Sequence, residues 1–190
     1  NISSGQPVMA AGGFDQKESK EFFGSEEPYL PLATRPDVLV FQTEPLVEDL
    51  EVTGPVSVQL WISSSAVDAD FTAKLVDVYP PSEDYPEGYA LNLTDGILRV
   101  KFRSSWERTE LMVPGEVYQV EVGLLPISNL FVKGHRIRLD ISSSNFPRFD
   151  VNGNTGENPG TSSVRITALN GVYHDETRPS HLLLPVIPTH

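Results

Sequence analysis

The chain has no cysteine, which removes disulfides, thiolate metal sites, iron–sulfur clusters and cysteine nucleophiles together. Positive charge is also scarce: 14 Lys and Arg stand against 26 Asp and Glu, a formal net charge of −12. Phosphate contacts need clustered basic side chains, and none cluster here, so neither a nucleic acid nor an anionic membrane is an expected partner. No apolar run approaches the ~18 residues of a membrane span; the densest late stretch, Leu182 to Pro188, is short and broken by proline. A charged segment leading into an apolar core, the mark of a signal peptide, is missing too. The first residue is Asn1 rather than Met, so a processed product or excised piece is expected. Nothing here assigns a compartment, although the cytoplasm is favoured. With 190 residues the chain suits one domain with an arm, large enough to bury roughly 70% of its unfolded surface without covalent staples.

What the chain does have is punctuation. Sixteen prolines and fourteen glycines divide it into segments that suit strands better than helices. Val56, Val58, Leu60 and Ile62 alternate with Ser57, Gln59, Trp61 and Ser63, the period-two pattern of a half-buried strand. The same alternation recurs in Tyr118, Val120, Val122 and Leu124, and again in Ile137, Leu139 and Ile141. Val38 to Gln42, Tyr89 to Leu93, Ile97 to Arg103, Val164 to Ala168, a short piece near Val172, and Leu182 to Ile187 complete about nine predicted strands. Phe71 to Tyr79 changes its apolar face at Val76, which predicts a bulge or burial on both faces. Asp95-Gly96 and Asn170-Gly171 carry turn chemistry, since glycine tolerates positive φ. One helix is expected near Asp15 to Phe23. Strands without βαβ alternation predict an all-β antiparallel sandwich over 35–190, led by an irregular arm over 1–34. Two such packed sheets are expected to leave no deep cleft.

Chemical motifs are sparse. No serine has glycine at both −2 and +2, so the G-x-S-x-G nucleophile elbow is missing. Ser63-Ser64-Ser65 and Ser142-Ser143-Ser144 sit at strand ends, where hydroxyls bond local backbone. The histidines, His135, His174, His181 and His190, lack zinc-site spacing, and His135 is expected at a surface or interdomain hydrogen bond. Asp150, Asn152 and Asn154 offer alternating oxygens as a calcium loop does, but Thr155 and Thr161 occupy the positions where an EF-hand needs Gly and Glu. An Asx-turn loop explains them equally. Asp68-Ala69-Asp70 has turn chemistry as its plain explanation. Trp61, Trp106, Tyr85 and Tyr89 offer a sugar platform or, alternatively, ordinary packing. Asn1-Ile2-Ser3 and Asn92-Leu93-Thr94 match the N-glycosylation tripeptide.

Several strings together are more specific than these features. RPDVLVFQTEPL (35–46), DADFTAKLVDVYP (68–80), DGILRVKFR (95–103), GHRIRLDISSSNFPRFDVNGNTG (134–156) and RPSHLLLPVIP (178–188) occur in that order. From about Gly12 onward the chain resembles the C-terminal non-catalytic domain of the cocaine-esterase and X-Pro dipeptidyl-peptidase type serine hydrolases. The α-amino-acid ester hydrolases and glutaryl-cephalosporin acylases belong to the same group. The resemblance implies a jelly-roll sandwich of the galactose-binding-like kind, following an α/β-hydrolase domain that holds the Ser-His-Asp triad. It implies no catalytic residue and no cofactor in this segment, and it makes the upstream hydrolase domain the expected partner. A longer and more acidic linker over Glu18 to Leu32 departs from the family pattern.

In such proteins the domain packs on the hydrolase domain and helps to wall the substrate cleft. Asn145, Phe146, Arg148, Phe149 and Asp150 form an apolar loop that is costly to leave uncovered, so they are candidate interdomain residues. The alternative is that both phenylalanines fill the sandwich's own edge. Asp70 and Phe71, expected at a turn, are the second candidates for the cleft rim. A rival from another class is a stand-alone carbohydrate-binding sandwich with calcium in the 150–156 loop. A homo-oligomer is also compatible with these features.

Overall fold

The computed structural model describes residues 15–17, 20, 27–29, 31–158 and 163–188. The alternating segment becomes β3 (Ser57–Ser64), whose burial alternates residue by residue, with Val58, Leu60 and Ile62 inward. Around it lie β1 (Leu39–Gln42), β2 (Leu50–Gly54), β4 (Asp70–Tyr79), β5 (Tyr89–Arg99), β6 (Tyr118–Gly123), β7 (Ile127–Phe131) and β8 (Arg136–Ser142). Three short strands follow: β9 (Asn170–Asp175), β10 (Arg178–Pro179) and β11 (His181–Leu183). Every pairing is antiparallel. One sheet runs β1-β8-β4-β5. The other has β3 at its centre, with β6 along one edge and β9 and β11 along the opposite one. β2 and β7 form a separate two-stranded sheet. This is the antiparallel β-sandwich expected from the sequence. Among the described residues, no helix is long and apolar enough to cross a membrane.

The core is made by the inner faces of the two sheets. Phe71, Ala73 and Leu75 of β4 and Leu139 and Ile141 of β8 meet Val58, Leu60 and Ile62 of β3 and Val120 and Val122 of β6. Each large aliphatic or aromatic side chain so buried contributes roughly 1.5–3 kcal/mol against conformational entropy. The sheets close tightly on the β5/β6 side: a Cβ placed on Gly96 would lie 2.2 Å from the Gly123 carbonyl oxygen.

That approach corrects one expectation. Asp95-Gly96 does not reverse the chain but lies inside β5, because glycine is required there for contact between backbones rather than for a turn. Asn170-Gly171 likewise opens β9 instead of turning. Val164 to Ala168 is not a strand, and Val164 and Ile166 are exposed. Alternation there had no sheet to join. The last predicted strand shortens to β11, followed by a bridge between Val186 and Val52. Asp15 and Lys17 bridge to Leu91 and Pro31, so those residues are not helical; most of the rest of that helix lies outside the described residues. The bulge expected in Phe71 to Tyr79 falls between Leu75 and Val76, and the strand is buried on both faces through Asp77. β2 and β7 had no sequence signal strong enough to be predicted.

Burial on both faces puts charge under cover. On the outer face of the first sheet, Lys74 stands opposite both Asp140 and Asp95. Asp140 accepts two hydrogen bonds from Arg138, at 2.7 and 2.6 Å. Gln16 crosses this face: its backbone N–H donates to the Ala90 carbonyl, and its Oε1 accepts from Lys74 Nζ at 3.2 Å. Burial pushes the Lys74 ammonium down to about 8, Asp140 and Asp95 pull it back, and Arg138 and Arg35 add to the lowering. The folded value lies below the ordinary 10.5, so the native chain loses this proton before the unfolded chain does. Stability from this group therefore rises between about pH 8 and 10.5, by up to about 3 kcal/mol. Lys74→Met removes that rise. The urea midpoint of the unsubstituted chain, minus that of the variant, is expected to climb with pH over this window; a flat difference would contradict the assignment.

Candidate functional site

Residues 142–158 leave β8, pass over the ends of β4 and β5, and carry most of the candidate interdomain residues. Two buried polar clamps hold this loop. In the first, Asp95 of β5 accepts from Asn145 Nδ2 at 3.0 Å and pairs with Arg148 Nη2 at 3.2 Å. Its root is tied by Ser142, whose hydroxyl lies 2.6 Å from that of Thr72 and donates to the Ser144 carbonyl.

The second clamp is larger. Asp70 takes a bidentate pair from Arg99, at 2.9 and 2.8 Å, and a further bond from Asn152 Nδ2 at 2.8 Å. Arg99 Nη2 also donates to the Asp150 carbonyl at 3.2 Å. Asp68 accepts from the backbone N–H groups of Ala69 and Lys101 and from Asn152 Nδ2. Lys101 Nζ donates to the carbonyls of Gly156 and Glu157, both at 3.0 Å, and lies 3.8 Å from Asp68. Asp68 and Lys101 are among the most deeply buried charges of the chain, at 0% and 1% exposure. Burial pushes the Asp68 carboxyl up and Asp70 adds to this, while Asn152 and Lys101 oppose it. The hydrogen bonds from Arg99 to Asp70 hold the guanidinium pKa above its ordinary value.

These contacts explain the oxygen-rich loop without calcium. The Asn152 side-chain oxygen accepts the Asn154 N–H at 2.8 Å, an Asx turn, and Asn154, at a φ of 61°, donates its Nδ2 to the Ile166 carbonyl. Arg99 and Lys101 supply positive charge beside Asp68 and Asp70. Among the described residues, no three His, Asp or Glu side chains come together as a metal-ligand group.

The candidate residues separate into two kinds. Phe71 is fully buried in the sandwich core and Asp70 is 2% exposed within β4, so neither forms a turn or a rim. The strand simply begins one residue earlier than the alternation indicated. Asn145 is buried as a clamp. Phe146 and Phe149 are half-buried, whereas Arg148 and Asp150 are exposed. The Arg148 guanidinium lies 5.6 Å from the Phe149 ring centroid. The loop thus presents Phe146, Arg148, Phe149 and Asp150 from a base fixed by Asn145, Asp70 and Asp68. Sequence reasoning missed Arg99 and Lys101, because their alternation with Leu98 and Val100 has the form of a solvent face.

Other candidates resolve locally. Ser64 accepts the Ala66 N–H, the local backbone bond expected of a strand-end serine, whereas Ser65 accepts the N–H of distant Leu169 and Ser143 accepts from the Asn170 side chain. His135 is buried rather than at a surface, with Nδ1 2.8 Å from Asp77. Burial raises the Asp77 pKa, and His135 opposes the rise. The four aromatics do not form one platform: Tyr85 and Tyr89 pack together, while Trp106 stacks on Phe102. Trp61 stands beside Tyr173 across the β3/β9 pair. Asn92 of the second tripeptide is buried in β5, and Asn1 lies outside the described residues.

Residues 8–183 match the family described as the X-Pro dipeptidyl-peptidase C-terminal non-catalytic domain. The chain belongs to that family. Cocaine esterase of Rhodococcus sp. (strain MB1 Bresler) is 45% identical over 159 residues, which are 83% of this chain and 27% of that protein. Among solved structures, an α-amino acid ester hydrolase shares 34% identity at a TM-score of 0.79, over 82% of this chain and 26% of its own. An aminopeptidase from the marine sediment archaeon Thaumarchaeota archaeon shares 32% identity at a TM-score of 0.75, over 82% of this chain and 27% of its own. This non-catalytic domain therefore spans about a quarter of the length of the relatives it matches. Their catalytic domain is a separate part of the chain.

Proposed function

We propose that this domain packs on the catalytic domain of a serine hydrolase that cleaves esters, amides or X-Pro peptides, and that it walls part of the substrate cleft. The jelly-roll topology implied by the resemblance belongs to the same reading. The observation that carries the reading is the doubly clamped loop at 145–150. Asn145 and Arg148 bond to Asp95 on one side, and Asp70, Arg99 and Asn152 hold the other. An exposed loop has no need of so many buried ionic contacts for its own sake, and buried pairs are weak sources of stability but good sources of fixed geometry. A pre-organised loop loses less entropy on docking. Phe146 and Phe149 supply apolar contact area, and Arg148 keeps donors free for a carboxylate or carbonyl across the interface. The chemistry in such a protein would be acyl transfer by the partner domain, with this one setting the shape of the cleft.

The double variant Phe146→Ala, Arg148→Ala tests this in the full-length protein and in the isolated domain. The unfolding transition of this domain within the full-length protein is expected to fall by about 4–8 °C, corresponding to roughly 2 kcal/mol of lost docking. The isolated domain is expected to lose less than half as much, and KM of the full-length enzyme to rise. Equal losses in both would assign the loop to the sandwich's own packing.

A further inference from the structure

The two lateral sides of the sandwich differ. On the β5/β6 side the backbones of Gly96 and Gly123 bring the sheets into contact. On the other side β1 faces β9 and β11, and the sheets do not close. β11 covers β3 only from Ser57 to Gln59, and β9 only from Trp61 to Ser64. The two strands thus share one edge in succession and leave a gap there, beside which Val172 and Leu182 are only half-buried. The result is a cavity of about 310 Å³, contrary to the expectation that packed sheets leave no deep cleft.

Its walls are inner-face side chains of both sheets, chiefly Leu60, Ile137, Leu139, Ile141, Val172 and Leu182. Its mouth is different in character. Phe41 of β1 and His174 of β9 meet edge-on there, with ring centroids 5.5 Å apart. His181 also lines the cavity, and its Nδ1 lies 2.7 Å from the Pro179 carbonyl oxygen. A carbonyl only accepts, so this bond places the proton on Nδ1 and leaves Nε2 of the neutral ring as an acceptor. The Ser180 hydroxyl is already used, accepting from the Trp61 N–H and donating to the Tyr173 carbonyl.

We propose that this inter-sheet cavity binds a small monocyclic aromatic molecule bearing one hydroxyl or N–H donor. Its volume lies at the lower end of the range for small-molecule pockets and about twice that of an apolar cavity able to hold benzene. Two facing layers of aliphatic side chains make a slot that suits a flat ring. A peptide segment would bring several backbone N–H and C=O groups into it, where most would lack partners. A phenol brings one polar group, and the free Nε2 of His181 at the mouth can accept its proton in a hydrogen bond. This site is independent of the docking loop and of any hydrolase activity.

The test uses the 190-residue chain, with 4-methylphenol and toluene as probes and methyl ¹H–¹³C NMR as the readout. Saturable shifts are expected in the methyls of Leu60, Leu139, Ile141, Val172 and Leu182, half-complete for 4-methylphenol at about 1 mM. His181→Ala is expected to weaken 4-methylphenol roughly fivefold, as loss of one hydrogen bond does, and to leave toluene unchanged. Leu182→Trp fills the slot and abolishes both shifts; Val172→Phe serves the same purpose if the first variant does not fold. Absence of saturable shifts, shifts spread over the surface, or equal loss of both probes in His181→Ala would each overturn the proposal.

Discussion

Gly96→Ala is expected to destabilise the domain by about 3 kcal/mol or more, although it adds a single methyl group. The new Cβ would sit 2.2 Å from the Gly123 carbonyl oxygen and 3.1 Å from its carbonyl carbon. Both atoms are backbone of β6, so no side-chain rotation relieves the contact, and the sheets must separate on their closed side. Separation would expose Leu98 and Val122, which lie in the same core. The control is Gly123→Ala, whose Cβ has nothing within 4 Å and whose backbone is not left-handed. That change is expected to stay within about 0.5 kcal/mol of the parent. Urea unfolding of the two variants decides the matter: equal midpoints would show that the sheets do not approach through these two residues.

The second large effect is expected at Asp68. Asp68→Ala should cost about 3–5 kcal/mol, the range for removing one partner of a buried ion pair. The carboxylate accepts the N–H groups of Ala69 and Lys101 and one from Asn152, and it is the acidic group nearest the Lys101 ammonium at 3.8 Å. Its removal takes the carboxylate partner away from the buried Lys101 side chain. The loss should also be local: with Asn152 held by Asp70 alone and the Lys101 ammonium deprived of Asp68, residues 150–158 should become the first point of proteolytic cleavage. Asp68→Asn, which keeps an acceptor and removes the charge, is expected to cost about half as much. If Asp68→Ala unfolded no more easily than the parent and the 150–158 segment stayed protected, the clamp would have no part in fixing the loop.

Both predictions concern residues whose meaning was hidden in the sequence. Asp95-Gly96 has the composition of a tight turn, and nothing local distinguishes a glycine that bends the chain from one that lets another strand approach. Arg99 and Lys101 alternate with Leu98 and Val100, a pattern that ordinarily marks a solvated face. They are covered because the 142–158 loop folds back over the strand ends, and that loop arrives from about fifty residues away. The Asp70-Phe71 assignment failed for a related reason: the strand starts at Asp70, so Phe71 points into the core. The loop at 145–150 was legible because two phenylalanines beside Arg and Asp have no reason to stand together in open solvent. In the structure Arg148 and Asp150 are exposed and both phenylalanines half-buried, while Asn145 turned inward.

The sequence by itself determined the class of fold, the inward face of β3, β6 and β8, and membership of the non-catalytic C-terminal family. Period-two alternation and short spaced segments are local properties, and ordered strings survive at 45% identity to cocaine esterase. Only the tertiary structure decided which polar faces lie under cover, which glycine joins the two sheets, and that the sandwich is closed at β5/β6 but open at β1 and β11. Alternation says that a strand has two faces; what covers each face depends on register and on distant segments. The missing cysteines still limit the chemistry as they did at the outset. What holds the loop in their place is buried charge: Asp68, Asp70, Arg99 and Lys101, paired across strands that the sequence sets about thirty residues apart.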